Sequence, residues 1–144
     1  MTVTTRPATP ADAAAIQRLN RDDLGYDHPL DAVVAALVDA LASPRDLVVV
    51  AELDGDVVGC VHAEEHRLLY LDLLVNVMGI AVLADAQGRG AGRALMEHVE
   101  GWARERGASG LRLVSGEARA GAHAFYERLG FVTTKKQLNY RKPL

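Results

Sequence analysis

A six-residue stretch, Gln87-Gly88-Arg89-Gly90-Ala91-Gly92, restricts the fold of this chain more than any other segment. It separates an apolar run ending near Val82 from an amphipathic segment that carries Leu95, Val99, Trp102 and Ala103 on one helical face. Such a junction reads as a strand, a tight turn and a helix in direct succession. Glycine reaches backbone conformations closed to other residues and puts no side chain on the inner wall of the turn. The N–H groups at the start of the helix then point at one place, with the helix dipole behind them. The result is an anion site suited to a pyrophosphate. On this feature alone, a glycine-rich turn without a ligand is the alternative. Two other nucleotide loops do not fit. The phosphate loop of nucleotide triphosphatases needs Gly-Lys-Ser/Thr, which is absent. The dinucleotide fingerprint needs other glycine spacing and an acid about 20 residues on, at the end of the next strand. Here that strand, Leu111 to Val114, ends at Ser115, with no acid before Glu117.

The rest of the chain alternates short strands with helices. Thr2 to Arg6 reads as a first strand, closed by Pro7 and Pro10. Thr9 or Asp12 caps a helix with Ala14, Ile16 and Leu19, and a polar loop runs from Asp22 to Pro29. Leu30, Val33, Val34, Leu37, Val38 and Leu41 form one apolar helical stripe, ended by Ser43-Pro44. Leu47 to Leu53 is a strand, Asp54-Gly55 a hairpin turn, and Val57 onward the returning strand. A third strand is expected from about Leu71 to Val82, with Gly79 marking a bulge or a close backbone approach. Ala118 to Leu129 is a helix stopped at Gly130, and Phe131-Val132 and Leu138 to Arg141 are expected as terminal strands. Hairpins early and a strand-helix-strand crossover late predict a mixed α/β fold. No linker divides the chain, so residues 1–144 are expected to form one domain.

Composition narrows the function classes. The chain has 144 residues, 49% hydrophobic and 24% charged, with a formal net charge of −3. Disorder is not expected, nor is a nucleic-acid surface, since no basic patch is interleaved with aromatics. The basic ending, Lys135, Lys136, Arg141 and Lys142, reads as a solvated edge. The single cysteine, Cys60, can make no intrachain disulfide. Leu68 to Ala84 is apolar but short for a membrane span, and it contains Asp72 and Asn76. With no basic-then-apolar leader at the start, a cytoplasmic protein without a membrane association is expected.

Two motifs carry a family resemblance. Val82, followed after four residues by Gln87-Gly88-Arg89-Gly90-Ala91-Gly92, resembles the acetyl-CoA loop of the GNAT superfamily of N-acetyltransferases. The family pattern Gln/Arg-x-x-Gly-x-Gly/Ala is met by Gln87, Gly90 and Gly92. Ala122-His123-Ala124-Phe125-Tyr126-Glu127-Arg128-Leu129-Gly130-Phe131 is similar to the family's Ala-x-x-Phe-Tyr-x-x-x-Gly-Phe segment. The separation of the motifs and the order of elements agree over nearly the whole chain. The resemblance implies a mostly antiparallel central sheet of about six to seven strands flanked by about four helices. It also implies transfer of an acetyl group from acetyl-CoA, as co-substrate, to a primary amine of a small molecule or protein by direct attack in a ternary complex, without a metal.

Residue by residue, the resemblance assigns the CoA pyrophosphate to the backbone of Gln87, Gly88, Arg89, Gly90, Ala91 and Gly92. It assigns the pantetheine arm to backbone groups of Ile80, Ala81 and Val82. Ala122 and Phe125 belong to the second cofactor motif, and Tyr126 takes the role of proton donor to the leaving thiolate. A thiol titrates near about 8.5 and a phenol near about 10, so a hydrogen-bonded phenol can protonate a departing thiolate. The other reading of Tyr126 is a core aromatic. Two positions depart from the pattern. Arg119 stands where the family often has Asn, and it meets a CoA phosphate or carbonyl or else faces solvent. Met78 stands where many members carry a Glu base.

A base is still needed, and the second hairpin strand offers Cys60, His62, Glu64 and His66 in alternation. Glu64 or His66 is expected to relay a proton through water. The alternatives are solvated strand-end residues or, since His and Cys are the usual ligands, a zinc site, although four alternate strand positions rarely close a tetrahedron. The acceptor pocket implied by the resemblance is built from about Arg21 to Pro29, from Arg67 to Tyr70 and from the C-terminal strands. Asp22, Asp23 and Asp27 there form an acidic cluster that could attract a cationic amine, or could cap a helix and face water. Opposed to the enzyme reading is an acyl-CoA-binding sensor or interaction module on the same fold, without turnover. A homodimer is the expected assembly, because Leu68 to Ala84 offers more apolar strand than one core requires.

Overall fold

The computed structural model describes residues 2–144. Contacts divide them into two compact units, the first ending at Leu113 and the second running Val114–Leu144.

The first unit is organised by a long hairpin. β2 (Asp46–Leu53) and β3 (Asp56–Leu68) are joined at Asp54 and Gly55. Both turn residues have positive φ, 54° and 83°, the twist that a two-residue hairpin loop needs. β1 (Thr4–Pro7) pairs with β2, and β4 (Leu71–Val82) with β3, all antiparallel. β5 (Gly110–Arg112) pairs with β4 in parallel, so the sheet order is β1-β2-β3-β4-β5. The crossover between β4 and β5 is α3 (Ala91–Glu105).

Side-chain alternation feeds two cores. Toward one face of the sheet, Val48, Val50 and Cys60 cluster with Ile16 and Leu19 of α1 (Ala13–Leu24) and with Val33 and Leu37 of α2 (Leu30–Ala42). On the opposite face α3 buries Leu95, Met96, Val99 and Ala103. Gly59 allows this approach, because a Cβ there would lie 3.2 Å from both the Ala81 carbonyl oxygen and Leu95 Cδ1. Each fully buried aliphatic side chain, such as Leu19, Leu95 or Val61, contributes about 1.5–3 kcal/mol over its exposed state. Trp102 lies at the edge of the α3 face, with the Arg106 guanidinium 4.1 Å above its ring.

Some expectations need correction. The sheet has five strands, because neither Phe131-Val132 nor Leu138 to Arg141 is a strand among the described residues. Alternating residues make a strand only where a partner satisfies the backbone, and Val132, Leu138 and Tyr140 stay exposed. Ala13, not Ala14, faces the first core, since Thr9 and Asp12 first form a 3₁₀ turn over Pro10–Asp12 and shift the helix phase. In α2 only Val33 and Leu37 are buried. Leu30, Val34, Val38 and Leu41 form a second, exposed face. Among the described residues no helix is long and apolar enough to cross a membrane.

The second unit contains α4 (Ala120–Arg128), which ends at Gly130 with φ 95°. Tyr126 packs between Phe125, 5.5 Å between ring centroids, and Phe131, edge-on at 5.9 Å.

Candidate active site

The expected bulge falls beside Gly79. His62 and Ala63 of β3 face Gly79 and Val77, which leaves Met78 as the extra residue. The bulge bends β4 at the point where its pairing with β5 stops, since β5 reaches only Leu74, Val75 and Asn76. Arg112 Nη1 donates to Asn76 Oδ1 at 2.6 Å and fixes the last shared position. Beyond it, up to Val82, the outer edge of β4 pairs with no strand among the described residues. The Leu83 N–H donates to the Val58 carbonyl at 2.8 Å, so Leu83 and, by alternation, Ala81 face β3. Ile80 and Val82 turn their backbone groups outward. Of the three residues expected along this edge, Ala81 therefore points its backbone into the sheet.

The outward groups of Val82 already have partners. Its N–H donates to Asp23 Oδ2 at 3.1 Å, and its carbonyl accepts from Gln87 Nε2 at 3.2 Å. Gln87 Nε2 also reaches Asp23 Oδ1 at 3.3 Å. The end of α1, the edge of β4 and the start of the glycine loop are thus tied by one carboxylate and one amide. The acidic cluster does not act as a unit, because Asp22 instead pairs with Arg21 at 3.0 Å.

The glycine loop takes the shape that its residues imply. Gly88 and Gly90 have φ of 82° and 90°, a left-handed region that favours glycine. The amides of Gln87 and Arg89 close turns within the loop, onto the Leu83 and Ala86 carbonyls. The first α3 amide to find an acceptor is that of Ala94, which donates to Gly90 at 2.9 Å. The N–H groups of Gly88, Gly90, Ala91, Gly92 and Arg93 have no acceptor among the described residues. Unsatisfied donors in succession at the positive end of a 15-residue helix fit an anionic diphosphate.

A cavity of about 300 Å³ lies in the first unit between α1, α2 and the middle of β3 and β4. Asn20, Tyr26, His28, Cys60, His62 and Met78 are among its lining residues. Burial, with the charge of Asp23 adding to it, pushes the Cys60 thiol up to about 12. Cys60 is therefore a small core residue and not a nucleophile at neutral pH. His62 Nε2 lies 2.7 Å from Asp46 Oδ1. At Asp46, burial works to raise the carboxyl. Hydrogen bonds from Ser43 and His62, with the His62 charge, outweigh it and hold the group below its ordinary value. Glu64 and His66 continue the same β3 face beyond the cavity, opposite Asn76 and Leu74. Strand alternation puts His62 on this face, but no motif marks it. Its partner Asp46 is distant in sequence and is brought near only by the hairpin register.

In the second unit Arg119 is the residue before α4 and is exposed, while Ala122, Phe125 and Tyr126 are half-buried on one side of the helix. Among the described residues no three His, Cys, Asp or Glu side chains are grouped to hold a metal ion.

Comparison with known proteins agrees with this architecture. Residues 13–131 match the family described as acetyltransferase (GNAT). The chain is 32% identical to the aminoglycoside N(6')-acetyltransferase type 1 of Stenotrophomonas maltophilia, covering 98% of this chain and 94% of that protein. A transcriptional regulator from Bacillus halodurans superposes with a TM-score of 0.89 at 25% identity, over 98% of this chain and 100% of the other. AAC(6')-Iy, in complex with the bisubstrate analogue CoA-S-monomethyl-acetylneamine, shares the fold with a TM-score of 0.88 at 22% identity, over 100% of each chain. With its family match spanning most of its length, the chain belongs to the acetyltransferase (GNAT) family.

Proposed function

We propose that this protein transfers the acetyl group of acetyl-CoA to a primary amine by direct attack in a ternary complex. The observation that carries the reading is the succession of free amides at Gly88 and Gly90 to Arg93, beside the outer edge of β4. The diphosphate of the cofactor is assigned to the backbone of the Gln87 to Gly92 loop. The pantetheine arm is assigned to the Ile80–Val82 edge, where Ile80 offers outward groups and Val82 its N–H once Asp23 lets go. Arg119, Ala122 and Phe125 are assigned to the cofactor, and Tyr126 to protonating the departing thiolate. For Ala122, Phe125 and Tyr126 the support is the Ala-x-x-Phe-Tyr motif and the half-buried position of the Tyr126 ring, and for Arg119 its exposed place just before α4. Glu64 and His66 lie on the polar face of β3 from which a proton relay would run.

For the acceptor we favour an aminoglycoside-type amine. The cavity beside Met78 counts Asn20, Tyr26, His28 and His62 among its lining residues, polar groups that suit a hydroxylated, amine-bearing molecule. A relative covering nearly the whole chain carries an aminoglycoside acetyltransferase name. Incubation with acetyl-CoA and neamine, followed by mass spectrometry, is expected to give a singly acetylated product. Absence of acetylation of both neamine and a polyamine would overturn the enzyme reading. An acyl-CoA sensor gains some support from apolar Met78 at the bulge, and it would bind acetyl-CoA without releasing thiol. A cytoplasmic location and a homodimer complete the proposal. Exposed Leu69, Tyr70 and Leu71 at the β3–β4 turn provide apolar surface for pairing, and a monomeric mass by light scattering would remove the dimer.

A further inference from the structure

We infer that His62, held by Asp46, is the base that removes a proton from the acceptor amine. The inference rests on the acetyltransferase reading and narrows the base to one imidazole. Of the four alternating polar residues on β3, Cys60 and His62 line the cavity, whereas Glu64 and His66 do not. Cys60 is buried and its thiol stays protonated at neutral pH. His28 also lines the cavity, but its ring sits on the exposed α1–α2 loop and has no hydrogen-bond partner among the described residues. His62 has one, Asp46, at 2.7 Å.

That bond selects the tautomer. Asp46, on the adjacent strand, accepts from Nε2–H, which leaves the Nδ1 lone pair without a partner among the described residues. Asp46 is a positioning residue that fixes the ring and offsets the charge it acquires. The remaining ionisable groups facing His62 are Cys60 and Glu64 on its own strand, and Tyr26 and His28 from the loop. The faces offered by α2 and β4 are uncharged, with Ala36, Leu37 and Ala40 on one and Met78 and Gly79 on the other.

In the step proposed, the acceptor arrives as an ammonium ion and gives one proton to Nδ1. The freed lone pair forms the C–N bond at the acetyl carbonyl of acetyl-CoA, and the C–S bond breaks as the thiolate leaves. Tyr126 gives its phenol proton to that thiolate, and the second nitrogen proton restores the phenol, directly or through water. The imidazolium finally returns its proton to solvent.

The test is the pH profile of kcat/KM for acetyl transfer to neamine, followed by thiol release. In the wild type the rate falls toward acid as an imidazole protonates. His62→Gln is expected to lower kcat by about a hundredfold or more and to remove that limb, with KM for acetyl-CoA unchanged. Asp46→Asn keeps the base but removes the charge favouring the imidazolium, so the limb moves to lower pH. An active His62→Gln enzyme with the wild-type profile would overturn the inference. A wild type that acetylates nothing strikes the underlying reading instead, and nitrogen NMR of the histidines then decides on the pair. A neutral His62 protonated at Nε2 in the wild type, with that preference lost in Asp46→Ala, supports it. An Nδ1-protonated ring rejects it.

Discussion

Replacing Asp12 by Ala isolates the ionic contact that closes the chain start against the sheet. Asp12 is 6% exposed, and its carboxylate accepts two bonds from the Arg6 guanidinium, at 2.8 and 2.9 Å, and the Thr9 N–H at 2.8 Å. Arg6 also donates to Glu52 at 2.6 Å, so one cation bridges the turn before α1 and strand β2. Removing one member of a buried pair costs about 3–5 kcal/mol. Here the Arg6 side chain is 38% exposed and keeps Glu52, so water and the remaining partner reduce the cost to about 2–3 kcal/mol. For a chain of this size that lowers Tm by roughly 5–10 °C, read by circular dichroism at neutral pH. The pH dependence has a definite sign. The Arg6 hydrogen bonds, opposed by burial and assisted by Thr9, hold the Asp12 carboxyl below its ordinary value. Its stabilisation is therefore full above the unfolded value of about 3.9 and is lost as pH falls through the lower folded value. The gap between wild type and variant should close in acid. A Tm change within about 2 °C at neutral pH, or a gap that does not narrow in acid, would refute this account of the contact.

Other outcomes follow from the site. Gly90→Ala forces a Cβ onto a φ of 90°, so it should cost about 1–2 kcal/mol and weaken acetyl-CoA binding in titration calorimetry. Tyr126→Phe should reduce the rate of thiol release by about a hundredfold or more while leaving acetyl-CoA affinity in place. An unchanged rate removes the role assigned to the phenol. Cys60, with its thiol pushed up to about 12, should resist iodoacetamide at mildly alkaline pH until the protein is unfolded, as followed by mass spectrometry. Rapid alkylation of the native protein would show that the side chain is open to solvent.

The parts of the fold that could be read from the sequence are those governed by local chemistry. Asp54-Gly55 announced the hairpin because only residues tolerant of positive φ close so short a turn. Gly88 and Gly90 announced the turn into α3 for the same reason, and Gly79 marked the β4 bulge as a glycine interrupting a strand run. Partnership across the sheet was less legible. Phe131-Val132 and Leu138 to Arg141 have the composition of strands but form none among the described residues, because strand formation depends on a pairing partner as well as on composition. In α2 the apolar stripe was visible, yet which half of it meets the sheet was not, since Val33 and Leu37 are distinguished from Leu30 and Val34 only by the angle of packing. The same holds at the site. The loop and the Phe-Tyr pair stood out as motifs. The His62–Asp46 contact and the hold of Asp23 on Val82 depend on strand register and on where α1 ends, and no short pattern encodes them.

The central claim is that the loop from Gln87 to Gly92 holds acetyl-CoA, and calorimetric titration of the protein with acetyl-CoA tests it most directly, with ATP and NAD as controls. The account predicts saturable binding of acetyl-CoA at one site, competed by CoA and not reproduced by ATP or NAD. No heat of binding for acetyl-CoA at high protein concentration, or equal binding of ATP, would contradict it and leave the free amides of the loop to another ligand.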